Sequence, residues 1–278
     1  MENKYKNIYI IIHQGIGDIF NSIGIINYYH STFNNSCIYV CVLDNMRKKI
    51  IENIYYDNKK IKTIIPEFIS YQKQKGDTCI KCMTYGKVNS CPRENGQCQF
   101  VNYNKYNSKN NLFIKIGSFN NYDNWENYRK SKFSFAHSFY TYNNLDEHIR
   151  FKNFKIFNNK DEENNKYNDF IKKYGSNYIL VHEDNDRNLK INKDKIKNKN
   201  LPIINLNKIS NIFVDFIKII KNASEIHLID SSWSVFIYLL NYKDIKDIPI
   251  FLNESYFKLK GRDTNIYKNP SFSNWVFY

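Results

Sequence analysis

The segment HQGIGDIFNSIGIINYY, His13 to Tyr29, follows directly on the apolar run NIYIII, Asn7 to Ile12. The run is rich in β-branched residues and predicts a buried strand, whereas the apolar residues of IFNSIGIINYY recur at the spacing of a helix. Two glycines between them, Gly15 and Gly17, predict a tight turn that opens into the helix. Ligands approach the backbone where a parallel strand ends, so this turn could face a ligand.

Further strands and helices alternate along both halves of the chain. CIYVCVL, MRKKIIENIYY and IKTIIP predict a strand, a helix and a strand in the first half. In the second half NYILVHE, LPIINL, EIHLID and IPIFLN predict strands, and NIFVDFIKIIKNA and SVFIYLLNY predict helices. This succession predicts an α/β fold of parallel sheets with helices on both faces. The length of 278 residues suits two domains, and we expect their boundary near Asn158.

Polar, turn-rich sequence interrupts the first half from about residue 72 to residue 110 and predicts an insertion. It holds four cysteines, Cys79, Cys82, Cys91 and Cys98. A C-x2-C pair followed by two more cysteines could form a tetrahedral thiolate site for zinc. Paired disulfides and free thiols are the alternatives. A zinc ion held by all four thiolates would have a structural role, because no coordination position would stay open for catalysis.

Composition narrows the classes of function. The formal net charge of +14 suits an anionic small ligand or nucleic acid. The lysines are scattered, however, and accompany abundant Asn, Ile, Tyr and Phe, as in proteins of AT-rich genomes, so nucleic acid is the less favoured partner. No run of about 18 apolar residues predicts a membrane span, and we expect a cytoplasmic protein. Phe20 replaces the last glycine of the dinucleotide fingerprint, which disfavours a nicotinamide cofactor.

Two other predicted strands end in polar residues. In EIHLIDSSWSVFIYLL a strand ends at Asp230 and a helix follows at once, so Ser231 or Ser232 could cap the helix, or its amides could bind phosphate. In YILVHEDNDRN, His182 lies at a strand end and Arg187 lies in the next loop. A guanidinium there could bind a diphosphate. The alternatives are a histidine with ordinary hydrogen bonds and a surface arginine.

Asp18 also has two interpretations. In the first turn of a helix its carboxylate is stabilised by the helix dipole, which is a structural role. At the mouth of a ligand site the same carboxylate could accept a proton from a hydroxyl group as a general base. The residues alone leave both interpretations open.

Taken together, these segments resemble a known family. GIGDIFNSIGIINYY resembles the opening of metal-independent glycosyltransferases of the GT-B type, particularly the heptosyltransferase-like group, whose first strand ends in a Gly-x-Gly-Asp turn. ASEIHLIDSSWSVFIYLLN is similar to the late strand, turn and helix that receive the donor's nucleotide diphosphate there and in fucosyltransferase-like families. YILVHEDNDRN is similar to the strand-end histidine with a downstream arginine of the fucosyltransferase-like families. The chain departs from them at Glu183 and Asp184, where those families have an arginine, and it lacks the Gly-His pair of heptosyltransferases after Asp230.

The resemblance implies a GT-B fold, in which two Rossmann-like domains face each other across a cleft. Residues 1–158 would bind the acceptor and residues 159–278 the nucleotide-sugar, with the C-terminal tail packing back on the first domain. The activity would be inverting, metal-independent transfer of a hexosyl or heptosyl group from a nucleotide-diphosphate sugar. The acceptor would be a hydroxyl of a glycan, a lipid-linked substrate or a protein, and catalysis would need no cofactor.

The resemblance also implies roles for individual residues. Asp18 would be the general base, and His13, Gly15 and Gly17 would contact the acceptor. The donor would be bound by His182, Arg187, Asp230, Ser231 and Ser232. Two other functions stay open: a zinc-stabilised nucleic-acid-binding module built on the cysteine segment, and an inactive scaffold that binds a sugar or nucleotide.

Overall fold

The computed structural model describes the backbone of residues 5–12, 15–66, 68–72, 97–101, 108–116, 135–208, 212–241, 245, 247–253 and 273–278. Side chains are described in these ranges except for residues 68–72, 97–101, 135 and 208. The chain divides into two compact units, Met1–Lys155 and Ile156–Tyr278. Each unit has its own parallel sheet, so the predicted α/β class is confirmed. The assignment of the units to acceptor and nucleotide-sugar binding stays a prediction.

The first unit is built on a four-stranded parallel sheet of order β3-β2-β1-β6. Its strands are β1 (Asn7–Ile12), β2 (Cys37–Cys41), β3 (Ile61–Ile64) and β6 (Asn111–Ile116). Helices α1 (Ile16–Thr32) and α2 (Asn45–Ile54) connect the first three strands. Ile8, Ile10 and Ile12 are fully buried, because alternate residues of a strand share the face that packs under a helix.

An antiparallel hairpin follows β3 in the sequence. Its strands, β4 (Phe68–Gln72) and β5 (Gln97–Val101), pair along their length. Cys79, Cys82 and Cys91 lie outside the described residues, as does the side chain of Cys98 in β5. The cysteine-rich insertion and its zinc site therefore stay predictions.

Two short helices that the sequence did not predict pack against α1. They are α3 (Phe135–Thr141) and α4 (Ile149–Lys152). The Tyr140 hydroxyl of α3 donates a hydrogen bond to the Asn21 carbonyl of α1 at 2.7 Å. This bond ties α3 to the helix that begins at the glycine turn.

The second unit is built on a five-stranded parallel sheet of order β11-β10-β9-β7-β8. Its strands are β7 (Ile179–Val181), β8 (Ile203–Asn205), β9 (Glu225–Ile229), β10 (Ile250–Asn253) and β11 (Trp275–Phe277). Its helices are α5 (Lys160–Tyr174), α6 (Ile217–Lys221) and α7 (Ser232–Asn241). Gly175 directly follows α5 and has a φ of 84°, a backbone conformation that glycine adopts without strain.

Helices cover one face of this sheet. Tyr178, next to β7, contacts Phe170 of α5 with ring centroids 4.7 Å apart. Its hydroxyl donates to the Ile219 carbonyl of α6 at 2.7 Å. Among the described residues, the opposite face is covered by residues 184–201, which we call the strap. The strap forms no α-helix, so the expectation of helices on both faces does not hold for this part of the sheet.

The strap is held by apolar contacts and by side chains from distant parts of the sequence. Ile191 and Ile196 pack in one cluster with the β7 residues Ile179 and Val181. Three polar side chains bind the strap backbone: Glu225 accepts from the Lys197 amide at 3.2 Å, Asn253 donates to the Lys190 carbonyl at 2.7 Å, and the Tyr278 hydroxyl accepts from the Asn192 amide at 3.1 Å. The strap contains a short 3₁₀ helix, Lys193–Lys195, and therefore has a defined path across the sheet without forming an α-helix.

The C-terminal tail forms the edge strand β11. The Asn274 carbonyl accepts from the Ile250 amide at 2.9 Å, and its side chain donates to the Ile248 carbonyl at 2.6 Å. Trp275 is 6% exposed. The described residues of the tail belong to the second sheet, because pairing there satisfies the open backbone edge of β10. The expected packing of the tail on the first domain stays a prediction.

Candidate functional site

Both sheets contain a topological switch point. In the first sheet the chain moves from β1 to β2 and β3 on one side and then adds β6 on the other side of β1. In the second sheet it moves from β7 to β8 on one side and then adds β9 and β10 on the other. At a switch point the connections that follow two neighbouring strands run in opposite directions and leave a crevice beyond the carboxyl ends of the strands. Open α/β sheets bind ligands in this crevice. In each unit, a motif selected from the sequence follows a strand that flanks this point.

The glycine turn follows β1 at the first switch point. Gly15 is the N-cap of α1, and its amide donates to the Asp18 carboxylate at 3.0 Å. This capping box gives Asp18 a structural role at the helix start. Asp18 and Gly17 are both half-buried, and the proposed roles of these residues toward an acceptor stay predictions. His13 lies outside the described residues, so nothing tests its role.

His182 lies at the second switch point, at the end of one of the two strands that flank it. It directly follows β7, and its amide donates to the His227 carbonyl of β9 at 2.9 Å. The residue is 6% exposed. Burial lowers the pKa of His182 to about 4, although a hydrogen bond with Asn207 and the charge of Asp184 oppose the shift. The ring is therefore neutral near pH 7, and its Nδ1 atom has no hydrogen-bond partner among the described residues. A neutral ring nitrogen suits a hydroxyl or N–H group better than a phosphate.

The buried imidazole predicts acid sensitivity. Below pH 6.5 an unfolded His182 takes up a proton, whereas the folded protein resists protonation until about pH 4. The folded protein therefore has its full stability, as far as His182 is concerned, above pH 6.5. As the pH falls from 6.5 to 4, the free energy of unfolding should decrease by about 3 kcal/mol. Urea unfolding at neutral and acidic pH measures this loss. The His182→Asn variant should lose less stability over the same interval, and an equal loss in both proteins would contradict the assignment.

Arg187 is engaged within its own turn. Its Nε atom donates to the Asp184 carboxylate at 2.6 Å, and its amide donates to the same carboxylate at 2.9 Å. Burial, the largest single effect, would raise the pKa of Asp184, but the hydrogen bonds and charge of Arg187 together with His182 lower it below its ordinary value. Asp184 and Asp186 also have D-x-D spacing, which can present two carboxylates to a metal ion. Binding of a diphosphate by Arg187 would have to compete with Asp184.

The start of α7 follows β9 at the same edge of the second sheet. The Ser231 hydroxyl accepts from the Trp233 amide at 3.2 Å and from the Ser234 amide at 3.4 Å. Ser231 therefore caps the helix, which was one of the two interpretations. Ser232, at the first helical position, is half-buried beside the positive end of the helix dipole. Asp230 lies just before them, and its donor-binding role stays a prediction.

A buried pair in β9 was missed from the sequence. His227 is fully buried, and its Nε2 atom hydrogen-bonds the Glu225 carboxylate. Its ring stacks on Phe251 with centroids 4.6 Å apart. Burial lowers the pKa of His227, against the opposing effect of Glu225. The sequence signal that could have revealed this pair is the E-x-H spacing within an apolar strand. Residues two apart in a strand share a face, so the two side chains can contact each other.

Metal-ligating side chains are not clustered in the described parts of the chain. No group of three or more His, Cys, Asp or Glu residues there could hold a metal ion.

None of the helices within the described ranges is long and apolar enough to span a membrane.

Comparisons with known proteins find several similar solved structures, among them two glycosyltransferases. No protein-family model and no curated protein matches the sequence. The glycosyl transferase family 9 protein from Veillonella parvula is 8% identical, with a TM-score of 0.47 over 100% of this chain and 87% of that one. The iron-containing dodecameric glycosyltransferase TibC from enterotoxigenic E. coli is 7% identical, with a TM-score of 0.45 over 90% of this chain and 58% of that one. With TM-scores below 0.5, neither likeness establishes an activity for this chain.

Proposed function

We propose that the chain is a glycosyltransferase that moves a sugar from a nucleotide-diphosphate sugar to an acceptor hydroxyl, with inversion at the anomeric carbon and without a metal ion. The observation that carries the proposal is the position of three motifs. The Gly-x-Gly-Asp turn and the His182 and Asp230 segments each follow a strand that flanks a switch point, which is where this class of sheet binds ligands. The sequence resemblance of the same segments to GT-B enzymes adds the reaction.

The chemistry assigns one role to each unit. The acceptor hydroxyl attacks the anomeric carbon from the side opposite the diphosphate, and Asp18 accepts its proton as the new glycosidic bond forms. The bond to the diphosphate breaks with its electron pair on the leaving oxygen. The start of α7 at Ser232 stabilises that negative charge through the helix dipole. Arg187 adds a positive charge if it exchanges Asp184 for phosphate.

A nucleotide-binding scaffold without turnover is the second candidate. The observation that favours it is that both charged groups assigned to catalysis already have structural partners: Asp18 caps α1, and Arg187 pairs with Asp184. A scaffold would retain the site at α7 and show no bond cleavage.

A donor panel separates these two functions. The protein is incubated in EDTA with sugar conjugates of UDP, GDP, ADP, CMP and dTDP, and NMR follows slow transfer of the sugar to water. A transferase consumes one donor and releases a sugar of inverted anomeric configuration. Binding of a donor without cleavage supports the scaffold, and cleavage that requires an added metal ion overturns metal independence.

A further inference from the structure

The strap carries a cluster of exposed lysines. Its segment KDKIKNK, residues 193–199, contains four lysines against one aspartate, and all four lysines are exposed. Ile196 in the middle is 3% exposed and anchors the segment. Arg187 and Lys190, earlier in the strap, lie beside the carboxylates of Asp184 and Glu183. No ion pair with a described residue involves Lys193 or Lys199, so their charges face solvent.

The same face of the second unit exposes aliphatic side chains at both edges of the sheet. Ile203 of β8 is 48% exposed and Val276 of β11 is 43% exposed. Ile203 pairs with Ile179 and Val276 pairs with Phe251, and paired residues of a parallel ladder point to the same face. Ile179 packs against the strap, and the Lys197 ammonium lies 5.5 Å from the centre of the Phe251 ring. The lysines and the two aliphatic residues therefore belong to one surface.

This surface has a fixed arrangement. Glu225, Asn253 and Tyr278 each bind the strap backbone from a different element. The lysines are thus displayed on a segment anchored at several points and do not extend from a free loop. An anchored basic segment with aliphatic residues beside it is the composition that binds a bilayer interface.

The side-chain chemistry favours a lipid surface over nucleic acid. Proteins that bind single strands stack bases on aromatic side chains, and phosphate-specific sites use the planar fork of arginine. The exposed large aromatic residues within the described ranges, Tyr56 and Tyr142, belong to the first unit. The single arginine of the strap, Arg187, is paired. Lysines act as point charges, which suits a diffuse layer of anionic headgroups.

We propose that the strap face of the second unit binds an anionic lipid bilayer. Lys193, Lys195 and Lys199 lie against the headgroups, and Ile203 and Val276 reach toward the acyl boundary. The inference does not depend on the proposed enzymatic activity, because none of these residues takes part in it.

Vesicle sedimentation with the full chain tests this surface. The strap variant combines Lys193→Gln, Lys195→Gln and Lys199→Gln, and the control variant combines Lys172→Gln, Lys173→Gln and Lys221→Gln on helices α5 and α6. Both variants remove the same charge. Each strap lysine is expected to raise the affinity for anionic vesicles about fivefold. The strap variant should therefore bind phosphatidylglycerol-containing vesicles about 10²-fold more weakly at low salt. The control should lose much less.

Three outcomes would overturn the proposal. The wild-type protein could fail to bind anionic vesicles at low salt. The two variants could lose binding equally, which would show an effect of total charge alone. The strap variant could lose affinity for a single-stranded RNA while its vesicle binding is unchanged, which would make nucleic acid the partner. Circular dichroism of both variants checks that the fold is retained.

Discussion

Asp18→Asn is expected to lower the rate of sugar transfer by about 10²- to 10⁴-fold, the usual contribution of a general base. In the wild-type protein the Asp18 carboxylate accepts a hydrogen bond from the Gly15 amide at 3.0 Å. The asparagine side chain keeps an oxygen that can accept the same hydrogen bond. The cap of α1 should therefore survive while the proton acceptor is lost. The measurement is donor turnover under saturating conditions together with the thermal midpoint, which should change little.

Two further variants separate catalysis from capping. Asp18→Ala removes both functions and should also lower the free energy of unfolding by about 1 kcal/mol. Asp44→Asn makes the same chemical change at the start of α2, where Asp44 accepts from the Arg47 amide at 2.9 Å, and it should leave turnover intact. If Asp18→Asn turned over its donor at the wild-type rate, Asp18 would be a helix cap and no more.

Gly24→Ala is expected to destabilise the first unit by about 3 kcal/mol, at the upper end for overpacking a well-packed site. A Cβ atom at Gly24 would lie 2.7 Å from the Arg150 Cα atom, 2.7 Å from the Tyr140 hydroxyl and 2.8 Å from the Ile149 carbonyl. Two of these neighbours are backbone atoms, so α1 and α4 would have to separate. The higher helix propensity of alanine offsets only about 1 kcal/mol. Thermal or urea unfolding measures the change.

Gly15→Ala is the matched control. Its Cβ atom would approach the Asp18 carboxylate at an ordinary contact distance of 3.5 Å. Loss of a glycine N-cap should cost about 1 kcal/mol or less. Comparable destabilisation by the two substitutions would mean that α1 and α4 are not as closely packed at Gly24 as the structure has them.

The sequence was informative where structure depends on local pattern. The run Asn7–Ile12, the helix that follows it and the strand Glu225–Ile229 all form where the apolar spacing predicted. The capping role of Ser231 was also among the interpretations, because Ser at a strand-to-helix turn is a local signal. Periodicity of side chains is a local property, so it could be recognised without knowing the fold.

Other features depend on contacts between distant residues. Gly24 is an isolated glycine inside a helical pattern, and only the approach of Arg150 gives it a role. The tail became a strand because the edge of β10 was open to it. The path of the strap depends on Glu225 and Asn253, which lie far along the chain. Burial of His182 has the same origin, so its lowered pKa had no signal in the residues around it.

The central claim is that the start of α7 receives a nucleotide diphosphate. Ser232→Asp adds a negative charge at the first position of the helix, where the dipole stabilises it, so the fold should be kept while phosphate is repelled. Ser176→Asp adds the same charge at an exposed position just after α5 and serves as the control.

The most direct measurement is calorimetric titration of these two variants and the wild-type protein with UDP, GDP, ADP, CMP and dTDP in EDTA. We predict saturable binding of one nucleotide to the wild-type protein and to Ser176→Asp, and binding at least about tenfold weaker to Ser232→Asp, since one charge contact to phosphate is worth more than about 1.4 kcal/mol. Absence of binding by the wild-type protein, or equal affinity in all three proteins, would contradict a donor site at α7.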